Sequence, residues 1–253
     1  MHRSVTPADG GLAPIVEKIW VCRIDGADGH EVLLPTGRSQ LILGLDPANP
    51  KAIIHGPTTE ASVIDSSAQR LAVGVSLRPG GLAALTGESA TAFVDRQVPA
   101  GGVLGFDVDG LVEAVRAELE RGQTTTVLER AIGHQLRIVD RGPTTAIHRS
   151  IALLGGGRSV AEVCDELGVR RSRFVGLFRS EVGVTPKLFS RLKRFEGAVA
   201  RVRQRHAESL AAVANRSGYA DQAHMTREFR ELAGRSPGRL HRDGSPSPNH
   251  LRP

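Results

Sequence analysis

VAEVCDELGVRRSRFVGLFRSEVGVTP, residues 160–186, and LAAVANRSGYADQAHMTREFRELAGRSP, residues 210–237, are two copies of one pattern. In each copy an apolar helical segment is followed by a glycine turn, an arginine-bearing helical segment and a G-x-[TS]-P sequence. Phe178, Gly183 and Pro186 recur 51 residues later, whereas Val163 and Gly168 recur 50 residues later, so the second turn is one residue longer. Each copy predicts a helix-turn-helix, in which a first helix supports a second helix that enters the major groove of DNA.

The charged residues divide the chain into two unlike halves. Residues 1–144 carry 13 Lys and Arg against 17 Asp and Glu, a net charge of −4, whereas residues 145–253 carry 20 against 10, a net charge of +10. The positive charge therefore coincides with the repeated pattern. A basic part joined to a mildly acidic part suits a polyanion-binding module attached to a module that stays away from the polyanion.

The N-terminal half contains short strand-like runs followed by amphipathic helices. The runs are 15–24, 30–35, 40–45, 51–55 and 70–78, and turn residues separate them. Short strands at this spacing predict a sandwich or a barrel. Helix is expected from Pro79 onward. Two later segments repeat apolar residues at helical spacing, namely Leu111, Val115 and Leu119 in one and Leu128, Ile132 and Leu136 in the other.

The two repeats also contain helix start and stop signals. Ser159 and Glu162 predict a capping box, and Gly168 predicts the end of that helix. Asp221 is expected to cap the second reading helix. Pro186 begins a helix without a breaker before about Arg205, and about twenty residues span roughly 30 Å, close to one turn of DNA. The residues expected to be buried in the two reading helices are Phe174, Leu177 and Phe178, and Met225, Phe229 and Leu232.

These signals give an α+β chain with three parts. Residues 1–143 are predicted to form a β-rich domain with trailing helices, and residues 144–242 an all-α DNA-binding domain in which a long helix joins two helix-turn-helix units. The domain linker is expected at 141–144, where Gly and Pro fall together. The tail, 243–253, has no apolar face and is expected to be disordered.

Several classes of site and location are disfavoured by the sequence. The absence of a long apolar run or an apolar N-terminal core argues against a membrane partner and for a cytoplasmic protein. Cys22 and Cys164 are expected to be reduced packing residues. His30 and His55 stand on separate runs without an H-x-H, so we expect no metal or other cofactor. The glycine runs lack the context of a phosphate loop, and we expect no catalytic site.

The C-terminal hundred residues resemble the DNA-binding domain of the AraC/XylS family of bacterial transcription regulators. The resemblance covers about residues 145–242 and is carried by F-R then G-V-T-P, by the step from Arg194 to Ala198, by G-Y-x-D at 218–221 and by E-F-R-E-L-A-G-R-S-P. The N-terminal half is more weakly similar to the effector-type domain of some members, through Trp20, LLPTGRSQLI and VGVSLRPGG. That second resemblance implies a cupin-like β-barrel with flanking helices. The whole resemblance implies a regulator that is not an enzyme.

The resemblance also implies which residues contact DNA. The positions that would read base edges are Ser172, Val175 and Gly176 in the first unit and Gln222, Ala223, Thr226 and Arg227 in the second. Arginine, glutamine and apolar groups match the hydrogen-bonding and methyl groups of the major groove, so the second unit is better equipped. Gly176 stands where relatives often place an arginine. The residues expected to contact phosphates are Arg170, Arg171, Arg173 and Arg179.

Two hypotheses for the N-terminal half remain open. In the first, the protein is a transcription regulator controlled by an unidentified small-molecule effector, which lies between the sheet and the helices after Pro79 with Trp20 on the wall. In the second, the N-terminal half is a constitutive dimerisation or protein-interaction module without a ligand, and Trp20 is a core residue. Under both, the partners are double-stranded DNA and a second copy of the chain, with RNA polymerase as a further candidate.

Overall fold

The computed structural model describes residues 2–5, 10–23, 30–65, 70–123, 125–139, 145–204, 208–242 and 250–251. Within these ranges a sheet-containing N-terminal part precedes an all-helical region, which confirms the α+β prediction. The predicted linker at 141–144 lies outside the described residues, as does most of the predicted tail.

The strands of the N-terminal part form two antiparallel sheets. The strands are β1 (His2–Val5), β2 (Val16–Arg23), β3 (His30–Leu33), β4 (Gln40–Gly44), β5 (Lys51–His55), β6 (Ser62–Asp65), β7 (Leu71–Leu77), β8 (Gln97–Pro99) and β9 (His250–Leu251). The six-stranded sheet has the order β1-β2-β7-β4-β5-β8, and the three-stranded sheet has the order β6-β3-β9. All five predicted strand runs are confirmed. β1, β6, β8 and β9 are additional, and each is four residues or shorter.

The expected cupin-like barrel differs from what the structure contains. In the described residues the six-stranded sheet ends at β1 on one side and at β8 on the other, and these two edges do not pair. No closed barrel is therefore found there. A sheet closes into a barrel only when its first and last strands hydrogen-bond, and the run lengths in a sequence do not specify that pairing.

Helices cover one face of the six-stranded sheet. They are α1 (Gly81–Thr86), α2 (Val108–Glu120) and α3 (Thr126–Val139), with short 3-10 helices at Ala90–Phe93 and Ala100–Gly102. Alternate strand residues such as Ile19, Leu41 and Val75 point to this side and are at most 1% exposed. They pack with the buried helix residues Val115 and Ile132 in one cluster, so the helical periodicity predicted for α2 and α3 is confirmed.

Trp20 lies on the opposite face of the sheet, which corrects its expected position. Its neighbour Ile19 is fully buried in the cluster beneath the helices, and successive strand residues point to opposite faces. Trp20 pairs with Gly74 of β7, and a Cβ on Gly74 would overlap the Trp20 ring. The space between the sheet and the helices is occupied by aliphatic side chains, so Trp20 does not line it.

The C-terminal part consists of seven described helices: α4 (Thr145–Gly155), α5 (Val160–Leu167), α6 (Arg171–Val182), α7 (Pro186–Gln204), α8 (Leu210–Arg216), α9 (Gln222–Ala233) and α10 (Pro237–Arg242). The predicted helix bounds at Ser159, Gly168, Pro186 and Asp221 are confirmed, and α7 has 19 residues. Phe174, Phe178, Met225, Phe229 and Leu232 are buried as predicted. Leu177 is 39% exposed, so its predicted burial is wrong. The buried stripe of α6 runs through positions 174, 178 and 182, and Leu177 lies beside that stripe.

The two parts of the chain share a core contact. Leu34, which follows β3, is 3% exposed and belongs to the same buried cluster as Phe195 of α7 and Phe229 of α9. His250 and Leu251 pair with β3, although the sequence predicted a disordered tail. The N-terminal part and the second helix-turn-helix are therefore packed against each other.

Leu34→Ala should destabilise the protein by about 2–5 kcal/mol, because it removes three carbon atoms from a closed cluster and leaves a cavity. Chemical denaturation followed by circular dichroism measures this change. Val63→Ala is the control, because Val63 is 64% exposed and a surface substitution changes stability by about 0.5 kcal/mol or less. Equal effects of the two changes would show that Leu34 contributes nothing to the shared core.

Candidate nucleic-acid interface

The first helix-turn-helix unit is built from α5 and α6. The Ser159 hydroxyl accepts a hydrogen bond from the Glu162 backbone N–H at 3.3 Å, and the Glu162 carboxylate accepts one from the Ser159 N–H at 2.8 Å. This is the predicted capping box. Gly168 ends α5 with φ 63°, a left-handed conformation that glycine adopts without strain. The turn then leads directly into α6.

Aromatic packing fixes the orientation of α6. The ring centroids of Phe174 and Phe178 are 5.6 Å apart, and those of Phe178 and Phe189 are 5.5 Å apart in an edge-to-face arrangement. Phe189 belongs to α7, so the reading helix is attached to the long connecting helix. Such ring pairs stabilise a packed interface beyond the area that they bury.

The predicted base-reading residues of α6 lie away from this aromatic face. Ser172 and Gly176 are exposed and Val175 is half-buried. A Cβ at Gly176 would meet no atom within 4 Å. Packing therefore does not require glycine here. The side of α6 that faces away from the aromatic contacts carries the Ser172 hydroxyl and the methyl groups of Val175.

The second unit presents a more polar reading helix. The Asp221 carboxylate accepts a hydrogen bond from the His224 N–H at 2.6 Å, which confirms the predicted cap of α9. Gln222, Ala223 and Arg227 are exposed, and Thr226 is half-buried. An exposed glutamine and arginine near the start of a reading helix match adenine and guanine edges respectively.

The four arginines predicted to contact phosphates lie at the N-cap of α6 and within α6. Arg170, Arg171, Arg173 and Arg179 are all exposed, and none of them takes part in an ion pair within the described part of the chain. Arg170 is also the N-cap residue of α6 and makes no side-chain capping bond. These charges remain available to a polyanion, as phosphate contacts require.

A buried carboxylate attaches the second reading helix to α7. Glu228 is 5% exposed. Its Oε2 atom accepts hydrogen bonds from Arg191 at 2.9 Å and Arg194 at 2.8 Å, and its Oε1 atom accepts one from the Tyr219 hydroxyl at 2.8 Å. The Arg194 guanidinium also lies 4.8 Å from the centre of the Tyr219 ring. One carboxylate thus joins α7, the turn and α9.

This network keeps Glu228 ionised. Burial alone raises the pKa of the Glu228 carboxyl, but the hydrogen bonds from Arg194, Tyr219 and Arg191 outweigh burial and hold the pKa below its ordinary value. Burial and the bond to Glu228 both raise the pKa of the Tyr219 hydroxyl, which stays a donor. The interaction therefore persists throughout the neutral range.

The sequence motifs contained most of these residues without showing their connection. Arg194, Tyr219 and Glu228 all fall in motifs that carry the family resemblance, but those motifs do not indicate that Glu228 is buried or that it meets the other two, and Arg191 lies outside them. The available signal was the position of Glu228, three residues after Met225 and directly before Phe229 on a buried helix face. A charged residue at such a position requires a partner.

Residues 147–243 match the helix-turn-helix domain family, and residues 4–99 match a domain of unknown function (DUF6597). Residues 147–243 therefore form a helix-turn-helix domain. A probable transcriptional regulator LumQ from Photobacterium leiognathi is 35% identical over 81 residues. That alignment covers 32% of this chain and 32% of LumQ, so the chain spans about a third of this relative.

Two solved structures align with this chain at low identity. ToxT from Vibrio cholerae aligns over 95% of this chain and 96% of its own, with 13% identity and a TM-score of 0.46. The C-terminal domain of AraT from Geobacillus stearothermophilus aligns over 40% of this chain and 88% of its own, with 18% identity and a TM-score of 0.38. Both likenesses are too distant to transfer a function.

The described residues contain no group of three or more His, Cys, Asp or Glu side chains arranged to hold a metal ion. His55 is buried with Nδ1 3.3 Å from the Gly56 carbonyl oxygen, and burial lowers the pKa of its imidazole. The side chain of His30 lies outside the described residues. None of the helices in the described ranges has the length and apolar character needed to span a bilayer.

Arg227→Ala should relax base preference at one or two operator positions and cost about 1–3 kcal/mol of binding there, because a bidentate guanine contact is lost. Arg171→Ala should weaken binding to all sequences alike, because a phosphate contact carries no base information. Selection of binding sites from a random duplex library, followed by affinity measurement, distinguishes the two. Identical preferences for the wild type and Arg227→Ala would remove Arg227 from the set of base readers.

Glu228→Gln should destabilise the second unit by about 2–3 kcal/mol, because two arginines lose their shared carboxylate and a charge-assisted bond from Tyr219 is weakened. Denaturant unfolding at pH 7 measures this loss. The lowered pKa means that the wild-type advantage is present above the ordinary carboxyl pKa and is lost as the pH falls through the folded-state value. An advantage that grew toward acid pH would contradict the assignment.

Proposed function

We propose that this protein is a sequence-specific, AraC-type transcription regulator that binds duplex DNA. The observation that carries the proposal is the pair of reading helices, each attached to α7 by buried side chains and each with its base-reading positions on the accessible side. α7 has 19 residues and is about 28 Å long, which approaches the spacing of major-groove segments one turn apart.

The charge distribution supports the same function. The region from residue 145 onward carries the net charge of +10, and the arginines around α6 are exposed and without ionic partners among the described residues. Binding to DNA displaces condensed counterions, so we expect affinity to fall steeply as salt increases. We also expect the second unit to be more base-specific than the first, because Gly176 has no side chain to contact a base, whereas Gln222 and Arg227 have polar ones.

A small-molecule effector is the second part of the proposal. Its site would be the face of the six-stranded sheet that carries Trp20, opposite the helices. Strand register places two neighbouring rows on this face. The apolar row is Trp20, Gly74, Ile42 and Ile53, and the polar row is Lys18, Ser76, Gln40 and His55.

This pair of rows suits a ligand with an apolar body and a polar end. The Trp20 ring, which lies over Gly74, would contact the body, while Lys18 offers a positive charge and Gln40 offers hydrogen bonds. Burial lowers the pKa of the His55 imidazole, so His55 would act as a neutral hydrogen-bonding group near pH 7. The chemical class that fits is an amphipathic carboxylate.

The alternative is that the N-terminal half is a constitutive dimerisation or protein-interaction module. The cluster of buried apolar side chains between the sheet and its helices favours this reading. A homodimer, contact with RNA polymerase and a cytoplasmic location are part of both versions of the proposal and stay predictions.

An amphipathic carboxylate should raise the thermal midpoint in a concentration-dependent manner and change the fluorescence of Trp20, the chain's single tryptophan. Matched amides of the same compounds serve as the control, because they keep the apolar body and lose the charge. Lys18→Gln should abolish the difference between acid and amide. If no compound shifts either signal while the protein still binds its selected DNA sites, the constitutive reading replaces the effector reading.

A further inference from the structure

Three loops of the N-terminal part contact the DNA-binding part. They are residues 34–39, 56–61 and 89–94. Together the described contacts of these loops include both helix-turn-helix units as well as α7.

The first loop is attached to α7 by charge and by apolar packing. Arg38 lies between two carboxylates, with Nη1 2.7 Å from Glu17 of β2 and Nη2 2.6 Å from Glu196 of α7. The Arg38 side chain is 18% exposed, and Leu34 at the start of the same loop is buried against α7 and α9. One guanidinium therefore holds a strand of the sheet and the connecting helix together.

The second and third loops contact the ends of the reading helices. The Ala61 N–H donates to the Leu232 carbonyl of α9 at 3.1 Å. At the end of α6, the Ser89 hydroxyl donates to the Ser180 carbonyl at 3.2 Å. Gly183 has φ 93°, and a Cβ there would lie 2.8 Å from Pro57, so this turn is closely packed on the N-terminal part.

These contacts leave the base-reading residues free. They occur at positions 180–183 of the first unit and at 232 of the second, whereas the readers begin at 172 and 222. At 1.5 Å per residue the contacts lie about 6 Å along α6 from the last reader, Gly176, and about 7.5 Å along α9 from Arg227, with the first readers about 12 Å and about 15 Å away. Helix-turn-helix proteins insert the N-terminal end of the reading helix into the groove, so DNA and the three loops can engage the helices together.

We propose that the N-terminal part positions the two reading helices relative to each other, and that Arg38 is the residue that maintains this position. The inference rests on the proposed DNA-reading function. With the three loops engaged, α6 and α9 are held both by α7 and by a common platform. The operator half-sites must then match a fixed spacing. Without Arg38, the first loop loses its ionic attachment to α7, so the platform holds the two units less firmly and the protein accepts a wider range of spacings.

The geometry explains why arginine is suited to this role. The pairing of β2 with β7 shifts register between Val16 and Lys18, so Glu17 lies at a β-bulge, a feature that redirects side chains. Arg38 meets Glu17 and Glu196 with separate nitrogens of one rigid fork. A lysine at this position is a single point of charge and cannot hold both carboxylates in the same way.

The test uses the full chain and a random duplex DNA library. Sites selected by the wild type are re-made with one base pair inserted or deleted between the half-sites, and affinities are measured for the wild type and for Arg38→Ala, Arg38→Lys, Glu196→Gln and Lys193→Ala. Lys193→Ala is the matched control. Like Arg38→Ala, it removes one positive charge. It also removes the other partner of Glu196, whose Oε2 atom lies 2.6 Å from the Lys193 Nζ atom, but both of these residues belong to α7, so no contact between the two parts is lost.

We expect a one-base-pair change to weaken wild-type binding at least tenfold and Arg38→Ala binding less than threefold, with the same half-site sequences selected by both. Arg38→Lys and Glu196→Gln should be intermediate, and Lys193→Ala should match the wild type. Amide exchange at Ala61, whose N–H crosses the interface, should accelerate in Arg38→Ala and not in Lys193→Ala.

A spacing penalty in Arg38→Ala and Glu196→Gln equal to that of the wild type would overturn the inference while leaving DNA reading intact. Equal loosening by Lys193→Ala would also overturn it, because charge rather than the connection between the parts would then be responsible. Failure of the wild type to select any half-site would overturn the proposed function, and this inference with it.

Discussion

The Glu228 carboxylate organises the second half of the C-terminal helical part, because it joins α7, the turn before α9 and α9 itself. It receives Arg191 and Arg194 from α7 and the Tyr219 hydroxyl from the turn before α9, and it belongs to α9 itself. A carboxylate that is 5% exposed is unfavourable without such partners. With them, the second reading helix has a defined direction on α7, and Gln222 and Arg227 face the accessible side as a consequence.

The first reading helix is fixed by different chemistry. α6 is held by the ring contacts of Phe174, Phe178 and Phe189, and these non-polar side chains need no hydrogen-bonding partner when they are buried. α7 therefore holds α6 through aromatic contacts at its start, and it holds α9 through the Glu228 network together with the edge-to-face contact of Phe195 with Phe229. The two units differ in reading chemistry as well, since α6 presents Ser172 and Gly176 where α9 presents Gln222 and Arg227.

The N-terminal sheet uses its two faces for different purposes. Ile19 and its neighbours on one face are sealed beneath α1–α3, whereas Trp20 and Gly74 meet on the other face. The loops at one end of this sheet carry Leu34 and Arg38 to α7. A molecule that contacts Trp20 would thus act on β2, the strand that also supplies Glu17 to Arg38.

Local patterns in the sequence were sufficient for the elements and for the reading surface. Capping residues such as Ser159 and Asp221, the glycine turns and the 3.6-residue apolar spacing all act within a few positions, so helix bounds and five strand runs followed from them.

Apolar spacing wrongly predicted that Leu177 is buried, because the width of the buried face of a helix depends on the elements that pack against it. It also could not determine the face on which Trp20 lies, the absence of pairing between β1 and β8, or the partner of Glu228. Arg38 and Glu196 are separated by more than 150 residues, and their meeting depends on how two sheets and seven helices pack. The sequence by itself determined a double helix-turn-helix with a basic reading side. Only the tertiary structure decided how the N-terminal part is attached to it, because that attachment is made of contacts between groups that no local pattern connects.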